Sequence, residues 1–116
     1  MKLQKICIIG DGLAGLTTAL VLGSLKIQID LYSKNISKKI KKDNRTTSIS
    51  KKNYDYFSNF FIKQETKDFW PSKEIALFYE KNNEYIKFLN FKEKNLPLMY
   101  TFENFKLKKI IINKIL

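Results

Sequence analysis

Residues 5–34 read KICIIGDGLAGLTTALVLGSLKIQIDLYSK, and this stretch constrains the fold more than any other. Lys5 to Ile9 is short, apolar and rich in β-branched side chains, the composition of a strand buried in a parallel sheet. It runs straight into G-D-G-L-A-G at Gly10 to Gly15. Leu13, Leu16, Thr17, Leu20, Val21 and Ser24 then recur at helical spacing to about Leu25. From Ile27 to Tyr32, apolar Ile27, Ile29 and Leu31 alternate with polar Gln28 and Asp30, which predicts a second strand. Strand, glycine turn, helix and strand follow within about 30 residues, the length of a βαβ unit.

Each glycine has a physical reason in such a unit. Gly10 permits the tight turn off the strand, Gly12 removes the side chain that would block a pyrophosphate, and Gly15 lets helix and strand approach closely. Backbone N–H groups near Leu13 and Ala14, reinforced by the helix dipole, hold an anion without a charged side chain. The plain alternative is a glycine turn that only packs a helix on a strand. The flanking strands favour dinucleotide binding over it. One element departs from the pattern. The acidic residue that bonds the adenosine ribose at the end of the second strand is replaced by Ser33, and Asp30 stands three residues early, expected to point elsewhere. A neutral serine contact is weaker than a charge-assisted one, so reduced affinity is expected.

Composition narrows the chemistry. The 116 residues hold one cysteine, Cys7, and no histidine. Disulfide frameworks, zinc fingers and His-dependent triads are thereby excluded, and no metal ligand set or catalytic side chain is assigned. The net charge of +11 points to nucleic acid or an anionic membrane. Against this, 21 of the 22 basic residues are Lys, and the one Arg, Arg45, argues against sequence-specific DNA reading, which favours the guanidinium fork. The basic start and apolar run imitate a secretory signal, but Asp11, the glycines and the lack of an A-x-A site oppose one. A membrane span is opposed by Asp11 and Lys26. The expected location is the cytoplasm, with peripheral contact to the inner membrane left open.

Lys5 to Lys34 resembles the opening of FAD-dependent aromatic-ring monooxygenases. Asp43 to Ser50, DNRTTSIS, resembles the D-x-R-x-x-x-[IL]-S segment of the ubiquinone-biosynthesis members, which hydroxylate polyprenyl phenols. The resemblance implies an α/β fold: the amino-terminal βαβ unit of a Rossmann-like FAD/NAD(P)-binding domain, then a β-hairpin and a terminal helix, incomplete as a fold. It implies FAD as cofactor, with NAD(P)H as reductant in intact relatives. The implied cofactor-binding residues are Gly10, Gly12, Leu13, Ala14, Gly15, Ser33, Lys34 and Arg45. Arg45 takes the position near the flavin, and Lys34 approaches the adenosine end. The plain reading of Arg45 is a solvated linker residue. The family's later flavin motifs and most of its substrate domain have no counterpart here. The expectation is therefore a truncated or split form, with a complementing chain as a candidate partner. The alternative is a small basic protein that binds nucleic acid or membrane without catalysis.

The expected division is residues 1–53 for the FAD-binding part and 54–116 for the start of the substrate domain. Glu74 to Leu89 reads as a hairpin about Lys81-Asn82-Asn83, since Asn tolerates positive backbone angles. Pro71 and Pro97 read as breakers. Phe105, Leu107, Ile110, Ile111 and Ile115 predict a helix over 104–116, and the addition of Ile112 suggests an apolar face that lacks its neighbour. Lys38, Lys39, Lys41, Lys42, Lys51 and Lys52 read as a solvated face. The aromatics Tyr54, Tyr56, Phe57, Phe60, Phe61, Phe69 and Trp70 read first as core, with base stacking or membrane contact as alternatives.

Overall fold

The structure is a computed structural model and describes residues 4–34 and 40–116. Lys38 and Lys39 of the expected solvated run lie outside the described residues. Strand β1 (Lys5–Ile9), helix α1 (Leu13–Gly23) and strand β2 (Gln28–Tyr32) form in the predicted order. β1 and β2 pair in parallel, from Lys5 opposite Gln28 to Ile9 opposite Tyr32. After them come β3 (Thr46–Ser50), α2 (Lys51–Phe57), β4 (Trp70–Ser72), β5 (Glu74–Lys81), β6 (Glu84–Lys92), β7 (Met99–Glu103) and α3 (Asn104–Ile115).

The chain packs as two compact units, residues 1–46 with 103–116, and residues 47–102. These do not follow the expected division at residue 53. The terminal segment returns to the first unit because α3 packs on α1. Leu16 and Ala19 of α1 and Leu107, Ile111 and Ile112 of α3 are all buried there. The apolar face expected to lack a neighbour therefore has one, and it is α1. Periodicity showed the face of α3 but carried no information about its partner.

In the second unit, β3, β7 and β4 form a three-stranded sheet with β7 central. Pro71, expected to break structure, sits in β4 at the sheet edge, where a missing N–H costs no ladder bond. Phe57, Phe69 and Phe102 are buried. Around them the Tyr54 and Tyr100 rings stack 3.6 Å apart, and Phe61 meets Phe57 edge-on at 4.7 Å. The aromatic run is thus largely a core, as first read, while Tyr56 and Trp70 remain exposed. The predicted hairpin is present as β5 and β6, antiparallel, with Asn82 and Asn83 at positive φ in the turn. Both its faces carry exposed apolar side chains, among them Phe78, Tyr85, Phe88 and Phe91.

Ile111 is fully buried. Replacing it by Ala is expected to lower the unfolding free energy by about 2–5 kcal/mol, because the α1–α3 contact leaves a cavity. Denaturant unfolding of the variant against the parent chain checks this, and a change within ~0.5 kcal/mol would contradict the packing.

Candidate functional site

The first unit brings its chemistry to the carboxyl ends of β1 and β2. Beyond Ile9 the chain turns at Gly10, whose φ of +111° is open only to glycine at low cost. The Gly10 N–H donates to the Tyr32 carbonyl at 2.8 Å, which continues the parallel ladder by one bond and holds the turn against the end of β2. Gly12 caps α1 in extended conformation, without a side-chain acceptor. The first intrahelical bond runs from the Leu16 N–H to the Gly12 carbonyl, 3.0 Å. Helix geometry leaves the N–H groups of Leu13, Ala14 and Gly15 without an intrahelical acceptor, and no acidic side chain occupies the first turn.

The glycines differ in what they make room for. A Cβ on Gly15 would stand 2.5 Å from the Gly10 carbonyl oxygen and 3.5 Å from the Ile8 side chain, so helix and turn approach closely only because none is present. A Cβ on Gly12 would meet no protein atom within 4 Å. It would enter the open space before the helix N-terminus, the space a bound anion needs. The residues present therefore fit a dinucleotide pyrophosphate: free donors, a positive helix end and no side chain in the way.

Ser33 and Asp11 meet at the same edge. The Ser33 hydroxyl donates to the Asp11 carboxylate. This bond is the first cause that holds the Asp11 carboxyl below the usual carboxylate range. Slight burial opposes it, and the Lys108 ammonium of α3, 3.7 Å away, supports it. Asp30 does point elsewhere, accepting from Lys5 at 2.9 Å. Lys34, just past Ser33, is exposed.

Arg45 does not join this cluster through any contact found among the described residues. Its guanidinium forks onto Asp43, Nε at 3.0 and 2.8 Å and a terminal nitrogen at 2.7 Å, while its own N–H bonds the same carboxylate at 2.9 Å. The Arg45 carbonyl accepts from the Asn104 N–H at 3.0 Å, which ties the loop to the start of α3. The side chain is 81% exposed. The Asp43 to Ser50 segment thus has a local structural logic: an Asp43–Arg45 clamp, a strand, and Ser50 accepting from the Asn53 N–H at 3.3 Å as cap of α2.

Sequence reasoning missed Asp11 and Lys108 as members of the site. Asp11 is the lone charge between Ile6 and Leu25, which was its only signal. Lys108 carried none, since nothing in the order of residues pairs α3 with the glycine turn.

Two predictions follow from this geometry. Gly15→Ala is expected to destabilise the chain by about 1–3 kcal/mol through the clash with Gly10, whereas Gly12→Ala changes stability little; thermal or denaturant unfolding separates them. For Asp11, the folded carboxyl ionises below its unfolded value of about 3.9. Its contribution to stability is therefore complete above that value and lost as pH falls through the lower folded one. An NMR titration should find the Asp11 midpoint under ~3.9 and shifted upward in Ser33→Ala; no shift would deny the hydrogen bond.

A scan of protein families finds no matching family model, and a search of curated protein sequences finds no match. Among solved structures the chain is similar to 2-methyl-3-hydroxypyridine-5-carboxylic acid oxygenase, with a TM-score of 0.62 at 15% identity. The match covers 98% of this chain and 29% of the oxygenase, so the chain spans less than a third of that protein's length. At this identity the likeness is one of fold: the chain is folded like a segment of an oxygenase.

Proposed function

We propose that this chain is the FAD-binding portion of a flavin-dependent aromatic monooxygenase, with β1, α1 and β2 as the first βαβ unit of its Rossmann-like domain. The observation that carries the reading is the empty space before α1, kept open by Gly12 and faced by the Leu13, Ala14 and Gly15 N–H groups. The likeness of fold to an oxygenase supports it from an independent direction.

The chain's own residues have distinct parts in this reading. Gly10 and Gly15 set the helix end against the strand ends, and Gly12 leaves the phosphates their space. The helix N-terminus holds the pyrophosphate through backbone donors, while Ser33 and Lys34 lie toward the adenosine end. Arg45, tied to the start of α3 through its carbonyl, is the candidate contact nearer the flavin ring, released from Asp43 or acting together with it. FAD supplies redox chemistry and oxygen activation when bound, and the protein supplies position. Polyprenyl phenols are the proposed substrate class, on the strength of the Asp43 to Ser50 segment alone.

Titration of the purified chain with FAD, followed by flavin fluorescence, is expected to show saturable binding. Gly12→Val should abolish it while far-UV circular dichroism stays unchanged, because the added side chain meets ligand rather than protein. FAD emission unaffected by folded parent protein would overturn the reading. Binding that collapses steeply with salt and survives in Gly12→Val would favour the basic-protein alternative, since lysine–phosphate contacts release counterions.

A further inference from the structure

We propose that Asp11 supplies the acceptor for the adenosine ribose hydroxyls that a dinucleotide site ordinarily draws from an acidic residue at the end of the second strand. The inference rests on the dinucleotide reading above and assigns a residue within that site. Its basis is placement. Ile9 pairs with Tyr32, and the Gly10 N–H bonds the Tyr32 carbonyl. Asp11 follows Gly10 and Ser33 follows Tyr32, so the two residues leave this bonded pair at the carboxyl edge of the sheet, where open α/β sheets take their ligands. The acid lost from the end of β2 is regained one strand away, on the glycine turn.

The chemistry fits the role. Ser33 donates its hydroxyl proton to Asp11, so it orients the carboxylate rather than replacing it. An ionised carboxylate has about four lone-pair sites, and Ser33 and Lys108 leave room for further donors. The Asp11 side chain is 31% exposed and so reachable. A carboxylate accepts from a hydroxyl about twice as strongly as a neutral oxygen does, which restores what Ser33 alone would lack. Lys108 offsets the negative charge, so Asp11 does not oppose an anion at the neighbouring helix end.

The test compares FAD with its analogue carrying 2′-deoxyadenosine, titrated against the full chain by flavin fluorescence. The parent is expected to bind FAD roughly tenfold or more tighter than the analogue, as for a hydrogen bond to a charged group. Asp11→Asn should lose that preference, whereas Ser33→Ala should retain it in part. Equal binding of FAD and analogue by the parent, or a preference that persists in Asp11→Asn and vanishes in Ser33→Ala, would overturn the assignment. The first of these needs no variant, so misfolding of a mutant does not rescue the proposal. If the folded parent takes up no FAD at all, the dinucleotide reading fails and the ribose assignment falls with it; saturable uptake without the preference removes the ribose assignment alone.

Discussion

The close approach of Gly15 to the Gly10 carbonyl is the constraint on which the first unit depends. With a Cβ 2.5 Å from that oxygen the helix would have to lift off the turn. Every later feature uses the seat so formed. It places the free N–H groups of α1 at the ends of β1 and β2, and it aims Leu16 and Ala19 at the buried face of α3. One absent methyl group thus couples the N-terminal end of the helix to the core on its side.

The second unit is organised on another principle. Its core is aromatic, with Phe57, Phe69 and Phe102 buried and Tyr54 stacked on Tyr100. Large flat side chains let a short stretch of chain bury much apolar area with few residues, which suits a unit built around three short strands. The β5–β6 hairpin differs again. Its register is set by the Asn82-Asn83 turn and by pairs such as Ile75 with Phe91 and Leu77 with Leu89, and its apolar side chains stay exposed on both faces.

The elements of the site were legible because local rules fix them. A β-branched run, a glycine turn and a 3.6-residue repeat each act within a few residues, and β1, α1 and β2 formed within a few residues of the predicted bounds. The Asn-Asn turn was legible for the same reason. The membership of the site was less so. Ser33 was read as a ribose contact on its own, but its hydroxyl is turned to Asp11. Arg45 was singled out for a fork that Lys cannot make, and the fork it makes is with Asp43, two residues away.

Local rules therefore suffice for the strand, glycine turn, helix and strand, the hairpin, the terminal helix and the space at Gly12, since each follows from propensity and from what a missing side chain allows. Packing and strand pairing, by contrast, set α3 over α1, bring Lys108 to Asp11 across 97 positions of chain, and make Asp11 rather than Asp30 the carboxylate beside Ser33. Helical periodicity tells which face of α3 is apolar but not what lies against it. Likewise, strand alternation does not tell which residues two parallel strands bring together at their ends. Those answers come from the pairing register and from packing, which are properties of contacts distant in the chain.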